Sequence, residues 1–469
     1  KLTIPHLRSM GLTDDTIAAI ATPVGLGGIG IIKISGPGSS EIAARLFRSR
    51  NATQPFKSHY LHYGEIVDPD KRHVVDEVLL SFMAKPCSYT GEDVVEINCH
   101  GGPLVLKEIL EIVLRTGART AEPGEFTSRA FINGRIDLTQ AEAVVDLIES
   151  KSSLSLKLAS SQLKGTLSQE INALKEGFLD MLSLLEAAID FPEEDLELVS
   201  SSKLISQADS FISRVEKLSN SYAEGRFYRE GVSTIIAGKP NVGKSSLFNV
   251  LLEEERTIVT PLPGTTRDFV EEGIVVDGIP LKIVDTAGLR HPADRIEEEG
   301  VRITKDKLDQ ADLVLLVIDN SAELDKQDEM LLSYLSEKRV VVVLNKIDLP
   351  GKVSLDRIKE LLPARRLVST SALHKTGFEK LKEVVVSSLI THALPQPSSP
   401  VISNLRHKLI LEKILKLAQS VREGLRKGIP PEFVAADLQT ALHHLGEITG
   451  QTTPEEVLEQ IFSRFCIGK

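Results

Sequence analysis

The sequence predicts a multi-domain chain of α/β and α+β class, in which an α/β domain is inserted into a helical domain. The first observation is the length of 469 residues, which corresponds to about three domains at ~100–200 residues each. The second observation is that two stretches with helical apolar spacing flank a stretch in which strands alternate with helices. The simplest arrangement packs the two helical stretches together as one domain, and two separate helical domains are the alternative.

The first stretch, residues 1–132, is typical of an α+β domain. Short β-branched runs (TIAAIATP, GIGIIKISG, DEVLLSFM and EDVVEINCH) alternate with turn residues. The segment PLVLKEILEIVLRTG predicts a helix that ends near Gly117. Its apolar residues at helical spacing are Leu104, Val105, Ile109, Ile112 and Val113.

Residues 133–230 and 392–469 are predicted to form the two halves of the helical domain. In the first half, Leu138, Ala141 and Val144 begin one apolar stripe, which Val145 and Ile148 continue. Proline cannot continue a helix, so the step at Phe191 and Pro192 should end one. The segment HALPQPSSP has the composition of a linker, and residues 231–391 between the halves have the alternating βα pattern.

Composition excludes several classes of protein. A formal net charge of −11 excludes a generally basic nucleic-acid-binding surface, and no apolar run approaches the ~20 residues of a membrane span. The first ten residues, KLTIPHLRSM, lack an apolar core segment, so we expect no secretory leader. Cys87, Cys99 and Cys466 are too few and too scattered for a disulfide framework or zinc site. We expect a reduced, cytoplasmic, multi-domain enzyme.

The segment from Gly238 to Ser245, GKPNVGKS, fits the phosphate-binding loop G-x-x-x-x-G-K-[ST]. It follows the apolar run VSTIIA and precedes a helix start, which is the context that the motif requires. Backbone amides of such a loop surround phosphate oxygens at a helix N-terminus. Lys244 would reach the β- and γ-phosphates, and Ser245 would ligate Mg²⁺.

Four further motifs follow in the order expected of a GTP-binding domain. Asp285 and Gly288 begin and end DTAG after a predicted strand, and GTTRD lies between this motif and the phosphate loop. In NKID, the Asp348 carboxylate can accept from N1–H and the 2-amino group of guanine, which adenine lacks. The segment SAL from Ser371 would back the guanine carbonyl. The residues predicted to contact GTP are Asn241, Val242, Gly243, Lys244, Ser245, Ser246, Thr260, Thr265, Thr266, Asp285, Gly288, Asn345, Lys346, Asp348, Ser371, Ala372 and Leu373.

The group that activates water is less obvious. Many small GTPases place glutamine after the DTAG-type motif, but Leu289 stands there and cannot polarise water. The acidic run from Glu297 to Glu299 supplies candidates for a base. The same run is equally well explained as a solvated helix start, where acidic residues favour the helix dipole.

Two other patterns have more than one interpretation. The segment GLGGIG from Gly25 formally matches a dinucleotide fingerprint, but IIKIS after it predicts a strand where that fingerprint needs a helix. We therefore expect this turn to permit close backbone approach. Basic clusters occur in RFYR (Arg226 to Arg229) and in LRHKLILEKILK (Leu405 to Lys416). At helical spacing the second could form a phosphate-facing stripe, but a basic run is usually an ordinary solvated face.

The motifs GKPNVGKSSL, GTTRD, DTAGLR and NKID resemble the TrmE branch of the GTPases. The segments ATPVGLGGIGIIKISGP, YTGEDVVEINCHGGP, PGEFTSRAFINGRIDLTQAEAV and FCIGK strongly resemble the same family of tRNA modification GTPases. The resemblance covers nearly the whole chain after Thr13. It implies a P-loop GTPase domain inserted into the helical domain, with a folate-binding-like N-terminal domain in front.

The resemblance also implies ligands and partners. G domains of the family form a homodimer with bound K⁺, and the family works on tRNA with an FAD-dependent MnmG partner in a heterotetramer-like complex. By motif, Ser245 and Thr266 would ligate Mg²⁺, and Glu297 would be the catalytic glutamate together with Lys244. The K⁺ ligands would be the Asn241 side chain and the carbonyls of Thr260, Leu262 and Thr265.

A tetrahydrofolate derivative of 5-formyl or methylene type is the implied one-carbon donor. The residues implied to contact it are Lys33, Glu96, Arg135 and Lys469. From the residues alone, a salt-bridged glutamate at a strand end is the favoured interpretation of Glu96. Cys466 is implied to be catalytic, as an acid or a nucleophile, although an isolated thiol is usually inert.

The expected function is a K⁺-dependent, dimerisation-activated GTP hydrolase. With its flavoprotein partner it would add a (carboxymethyl)aminomethyl group to carbon 5 of the wobble uridine in certain tRNAs. The alternatives are a GTPase of ribosome assembly, a folate-dependent aminomethyltransferase with a regulatory G domain, and a purely structural switch.

Overall fold

A computed structural model describes residues 15–23, 25–50, 56–190, 201–254, 272–283, 308–363, 366–390 and 400–469. The chain divides into two units that alternate along the sequence. Unit 1 comprises Lys1–Val145, Gln162–Ile212 and Lys413–Lys469. Unit 2 comprises Asp146–Ser161 and Ser213–Glu412, so its larger segment lies between two segments of unit 1 in the sequence.

Unit 1 begins with a sheet whose strand order is β3-β4-β5-β6-β2-β1-β7. Its strands are β1 (Ile17–Ile20), β2 (Gly27–Ser35), β3 (Phe47–Ser49), β4 (Tyr60–Val67), β5 (Val74–Met83), β6 (Val94–Gly101) and β7 (Arg119–Thr120). The sheet is antiparallel except for the short pairing of β7 with β1. Helices α1 (Ser39–Leu46) and α2 (Pro103–Arg115) cover one face, and their buried side chains share a core with β2, β5 and β6.

The remaining helices of unit 1 come from the two helical stretches of the chain, which also supply helices of unit 2. They are α3 (Glu125–Ile132), α4 (Leu138–Ile148), α5 (Ser153–Leu163), α6 (Thr166–Asp190), α7 (Ser201–Asn220), α8 (Tyr222–Glu230), and, after the α/β segment, α13 (Leu405–Lys427), α14 (Pro431–Thr449) and α15 (Glu455–Phe462). Of these, α5 and α8 belong mainly to unit 2, and α4, α7 and α13 extend into it. Within unit 1, α6 packs along α14, and Phe178 on α6 stacks on Phe211 with ring centroids 4.7 Å apart. The two helical halves therefore pack together as predicted.

Unit 2 contains a mostly parallel sheet of order β13-β12-β11-β8-β10-β9. Its further elements are β8 (Val232–Ala237), α9 (Lys244–Glu254), β9 (Glu272–Val276), β10 (Ile279–Ile283), β11 (Leu313–Asp319), α10 (Lys326–Tyr334), β12 (Val340–Asn345), α11 (Leu355–Leu361), β13 (Arg366–Ser369) and α12 (Phe378–Leu389). Strands β11 and β12 are almost entirely buried, as expected of a parallel sheet that is covered on both faces. The nucleotide motifs follow the carboxyl ends of parallel strands, so they lie together at the C-terminal end of the sheet.

The predicted fold class is confirmed, and so are the predicted strands. The predicted helix end at Phe191 and Pro192 lies outside the described residues. Of the apolar residues at helical spacing in α2, Leu104 is 76% exposed, whereas Leu106, which was not among them, is buried at 3%. Apolar residues occupy more than one face of α2, so periodicity alone could not fix which face packs on the sheet.

The described helices include none long and apolar enough to cross a membrane.

Candidate functional site

The phosphate loop joins β8, which ends at Ala237, to α9, which begins at Lys244. Gly238 and Gly243 have φ values of 141° and 98°. A Cβ atom at Gly238 would lie 2.3 Å from the Val317 carbonyl oxygen, and one at Gly243 would lie 2.2 Å from Asn345 Nδ2. Glycine is required at both positions because a side chain would be strained there and would also collide.

The Lys244 ammonium lies over the loop it terminates. Its Nζ donates to the carbonyl oxygens of Gly238 at 2.8 Å and Lys239 at 2.6 Å. Burial lowers the pKa of Lys244 from its usual value. The charge is thus held inside the ring of loop backbone in which the motif binds phosphate oxygens.

Asn345 connects this loop to the nucleotide-base motifs. It is 2% exposed, and its Nδ2 donates to the Val242 carbonyl at 3.0 Å. Its Oδ1 accepts from the Ala372 amide at 3.1 Å and from the Thr370 hydroxyl at 3.4 Å. One buried side chain at the end of β12 therefore ties together segments that lie far apart in the sequence.

The other NKID residues are held by ion pairs and hydrogen bonds. Lys346 has a φ of 62° and its Nζ lies 2.6 Å from Asp319 Oδ2 at the end of β11. Asp348 accepts a hydrogen bond from the Ser371 hydroxyl, which keeps the pKa of that carboxyl below its usual range. Ionised Asp348 is in the state required to accept two N–H groups from guanine.

The remaining residues predicted to contact GTP, Mg²⁺ or K⁺ are described only in part. Val242 is buried, and Leu373 is 78% exposed beside the base motif. Ser245 and Ser246 lie in the first turn of α9. Seven predicted residues lie outside the described part of the chain: Thr260, Leu262, Thr265, Thr266, Asp285, Gly288 and Glu297.

A second cluster of predicted residues occurs in unit 1, around Lys33 on β2. Lys33 and Glu96 are cross-strand partners on β2 and β6, and Lys33 Nζ lies 3.7 Å from Glu96 Oε1. The same Nζ lies 5.3 Å from the ring centroid of Tyr89 and 5.4 Å from that of Phe126. An ammonium between two aromatic rings is stabilised by their π faces even where water is excluded.

Arg135 and Lys469 approach the same cluster. The Arg135 guanidinium lies 5.9 Å from the Tyr89 ring. Burial lowers the pKa of Lys33, the charge of Glu96 opposes this, and the charge of Lys469 adds to it. Gly468 brings the C-terminal segment here, since a Cβ on it would lie 2.6 Å from the Ile20 carbonyl oxygen. The structure thus collects all four residues that the resemblance assigned to folate.

An ion-pair network beneath this cluster fixes α3 to the sheet. Arg129 is 1% exposed and donates to Asp15 Oδ1 at 2.6 Å and Glu125 Oε1 at 2.9 Å. Arg119 donates to both oxygens of Glu125. Although burial raises the pKa of Glu125, these donors hold it below its usual value. The α3 residue Phe126 is thereby kept against Lys33.

Sequence reasoning missed Tyr89 and Phe126. Both lie within segments that carried the family resemblance, YTGEDVV and PGEFTSRAF, and an aromatic residue beside a predicted charged cluster was the available signal. Part of the GLGGIG segment lies in β2, where the Gly27 backbone closely approaches Gly101. A Cβ at Gly30 would lie 2.6 Å from Leu106, and one at Gly101 would lie 2.5 Å from the Gly27 carbonyl oxygen.

Cys466 is exposed in the C-terminal segment, and its carbonyl accepts from the Lys469 amide at 3.3 Å. The same segment is anchored by Phe462 and Phe465, which pack with Phe131 in one apolar cluster. Among the described residues, no group of three or more histidine, cysteine, aspartate or glutamate side chains could hold a metal ion.

Both sites lie in segments that match models of known protein families. A family model described as the MnmE helical domain matches residues 138–466, and another, the GTP-binding protein TrmE N-terminus, matches residues 16–135. The chain belongs to the MnmE family of tRNA modification GTPases. The predicted family is therefore confirmed across both units.

Relatives match over nearly their whole length. The tRNA modification GTPase MnmE of Carboxydothermus hydrogenoformans is 48% identical over 461 residues, which cover 98% of this chain and 100% of that protein. The MnmE of Geobacter metallireducens is 49% identical and covers 97% and 99%. Among solved structures, the G domain of the T. maritima FeoB iron transporter is 30% identical over 34% of this chain and 98% of that one, with a TM-score of 0.25.

Proposed function

We propose that this GTPase is activated by K⁺ and by dimerisation and modifies carbon 5 of the wobble uridine in certain tRNAs. The group added is of (carboxymethyl)aminomethyl type, the one-carbon donor is a tetrahydrofolate derivative, and a flavoprotein of MnmG type is the partner. The observation that carries the proposal is that Lys33, Glu96, Arg135 and Lys469 converge in a chain that also has a guanine-specific loop set.

The nucleotide step uses the loops of unit 2. Asp348 would accept from N1–H and the 2-amino group of guanine while Ser371 holds the carboxylate in place. With adenine, the carboxylate would lose both donors, so ATP should be rejected. Lys244 would neutralise the β- and γ-phosphates, and Ser245 and Thr266 would hold Mg²⁺.

Hydrolysis also needs a group to direct water and a positive charge between the phosphates. Glu297 is the proposed catalytic glutamate, since Leu289 stands where other GTPases have glutamine. The proposed K⁺ site has Asn241 as its side-chain ligand, and Asn241 has a φ of 64° in the loop. The carbonyls of Thr260, Leu262 and Thr265 would complete the site.

The cluster around Lys33 fits a reduced folate by its donor set. Glu96 can accept from an amino-pyrimidine edge, and its carboxylate, with the side chain 29% exposed, is only loosely paired with Lys33 at 3.7 Å. Arg135 and Lys469 supply the positive charge that a glutamate tail requires. A bound tetrahydrofolate derivative would supply the carbon atom that links the added amine to uridine. Cys466 would act near this site as an acid or a nucleophile.

Assembly and location complete the proposal. A homodimer would bring two G domains together, and the MnmG-type partner would join it in a heterotetramer-like cytoplasmic complex. With a net charge of −11, this chain leaves much of the tRNA phosphate contact to that partner. The proposed domains are residues 1–132, 133–230, 231–391 and 392–469.

The test is mass spectrometry of tRNA nucleosides from a strain that lacks the gene. Complementation with wild type should restore the modified wobble uridine, whereas Lys244→Ala and Cys466→Ser should not. Lys57→Met is the control, because Lys57 is exposed over Tyr60 and outside both sites. An unchanged nucleoside profile after deletion would refute the tRNA step.

Two assays separate the remaining features. GTP hydrolysis measured in KCl and in NaCl at equal ionic strength should be faster in KCl, and equal rates would refute the K⁺ site. Deleting the flavoprotein should abolish the modification as fully as deleting this gene. Persistence of the modification would favour a folate-dependent transferase that acts alone.

A further inference from the structure

A cavity of about 530 Å³ opens on unit 2 at the N-terminal ends of the sheet strands, opposite the nucleotide loops. Asp312 directly precedes β11, Arg339 precedes β12, and Arg366 begins β13. Parallel strands place their starts at the same edge, so these three residues lie side by side. The nucleotide motifs follow the ends of the same strands, and the cavity is therefore separate from the GTP site.

The lining of this cavity is rich in basic residues. Arg226, Lys338, Arg339 and Arg366 line it, against the two carboxylates of Asp312 and Glu337. Arg226 comes from the RFYR cluster that stands out in the sequence. An open cavity lined mainly by charged groups suits a hydrated anion better than an apolar ligand.

Most of these charges already have partners. Arg226 donates to Asp312 Oδ1, and Asp312 Oδ2 accepts from the Ser233 amide at 3.1 Å. Lys338 Nζ lies 2.8 Å from Asp309 Oδ1. The positive groups that remain for a ligand are therefore those at the starts of β12 and β13.

Arg339 has the fewest partners of these cations. Its guanidinium lies 5.6 Å from the Phe227 ring, and Arg226 lies 4.8 Å from the same ring. Among the described residues, no hydrogen-bond acceptor is found for Arg339, although a guanidinium carries five N–H donors. Burial lowers the pKa of Arg339, Asp312 opposes this, and Arg226 adds to it. Arg339 is exposed, so its N–H groups are accessible and can donate charge-assisted hydrogen bonds to an oxyanion.

Arg366 supplies a second set of donors. One of its nitrogen atoms, Nη1, donates to the Val384 carbonyl at 3.2 Å and to the Ser387 hydroxyl, which anchors the side chain at the end of α12. Its other N–H groups have no acceptor among the described residues. Two guanidinium groups that line one cavity can bind several oxygens of a tetrahedral anion.

We propose that this cavity is a second phosphate-binding site, which takes a phosphoryl oxyanion between Arg339 and Arg366. The phosphoryl group belongs either to a free phosphate or to an RNA backbone. The site does not depend on the proposed tRNA reaction, because it follows from the charges and hydrogen bonds of unit 2 alone.

The experiment titrates inorganic phosphate into the full chain by calorimetry at constant ionic strength. Saturating Mg·GDP blocks the nucleotide loop, so remaining phosphate binding reports on other sites. We expect saturable binding to wild type that weakens about tenfold or more in Arg339→Gln, since charge-assisted hydrogen bonds are lost. Arg339→Lys should bind with intermediate affinity, because it keeps the charge but loses the planar fork.

Arg357→Gln is the matched control. Arg357 lies on α11 of the same unit and pairs with Glu329 and Glu360, away from the cavity. Its substitution should leave phosphate affinity unchanged. Retained GDP binding shows that a variant is folded, and Arg366→Gln, with the same expected loss, replaces Arg339→Gln if the latter is unfolded.

A second titration with short single-stranded RNA identifies the source of the phosphoryl group. If the ligand is an RNA backbone, Arg339→Gln should reduce the slope of log affinity against log salt by about one. If RNA binding is unchanged while phosphate binding weakens, the ligand is a free phosphate. Absence of saturable phosphate binding to wild type, or equal affinity in wild type and Arg339→Gln, would overturn the proposal.

Discussion

Replacing Asn345 with alanine should separate the phosphate loop from the base-binding loop. The substitution leaves the Val242 carbonyl and the Ala372 amide without their partner. An unsatisfied buried group costs about 1–3 kcal/mol, and we take the lower part of that range for Ala372, which is partly exposed. The total of about 2–4 kcal/mol corresponds to a roughly 30- to 700-fold loss, shared between GDP affinity and folding stability.

Titration with a fluorescent GDP analogue measures the affinity, and urea unfolding measures the stability. Asn320→Ala is the matched control. Asn320 lies at the end of the neighbouring strand β11, and its contact with Asn345 is made through its backbone amide at 2.9 Å. The Asn320→Ala variant keeps this backbone contact and should therefore bind GDP as wild type does. A neutral surface change alters the free energy of unfolding by about 0.5 kcal/mol or less. The bridging role would be refuted if Asn345→Ala stayed within about 0.5 kcal/mol of wild type in stability and within about threefold in GDP affinity.

Three further substitutions test other parts of the structure. Gly243→Ala should abolish nucleotide binding, as measured with the same GDP analogue, because its Cβ would lie 2.2 Å from Asn345 Nδ2 at a φ of 98°. Lys33→Met should reduce 5-formyltetrahydrofolate binding in equilibrium dialysis by about tenfold or more while the melting temperature stays nearly constant, since methionine fills the desolvated position without a charge. Burial raises the pKa of Asp68, but hydrogen bonds from Arg115 and two backbone amides lower it to about 2. Asp68→Asn should therefore destabilise the fold above pH ~4, which is the pKa of aspartate in the unfolded chain. The loss in free energy of unfolding, measured with urea, should shrink as the pH falls from ~4 towards 2.

Each of these substitutions has a control in the same chain. Gly428 has a φ of 65°, but a Cβ atom there would have nothing within 4 Å, so Gly428→Ala should cost stability without changing nucleotide binding. Lys57→Met removes an exposed ammonium over Tyr60 and should leave folate binding intact. Asp70→Asn removes a carboxylate that is 70% exposed and should show little pH dependence. A pH-independent deficit for Asp68→Asn, or folate binding by Lys33→Met equal to wild type, would contradict the reasoning.

The nucleotide loops were predictable because their chemistry is local. The glycines and Lys244 of the phosphate loop must follow a strand and begin a helix, and the sequence shows both. The connection through Asn345 was not predictable, because it joins residues 103 positions apart through a single buried amide. Periodicity reports which residues are buried, but it carries no information about such long-range partners.

The cluster in unit 1 was predictable only through the resemblance. Lys33 and Glu96 lie in separate apolar runs, and their pairing depends on the register of β2 against β6. Tyr89 and Phe126 come from a turn and from α3, so no spacing in the sequence brings them to Lys33. Burial of an ammonium between aromatic rings is a property of the tertiary structure, and composition does not reveal it.

The pairing of α6 with α14 also constrains how the chain folds while it is being made. About 240 residues separate the two helices in the sequence, and Leu174, Phe178 and Met181 on α6 are buried in the finished unit. At ~5–20 residues per second, the ribosome needs ~12–50 s to add that stretch. The apolar face of α6 is without its final partner throughout that interval, while the βα segment can complete its own core. The delay exposes the first helical half of the nascent chain to misassociation until α14 has been made.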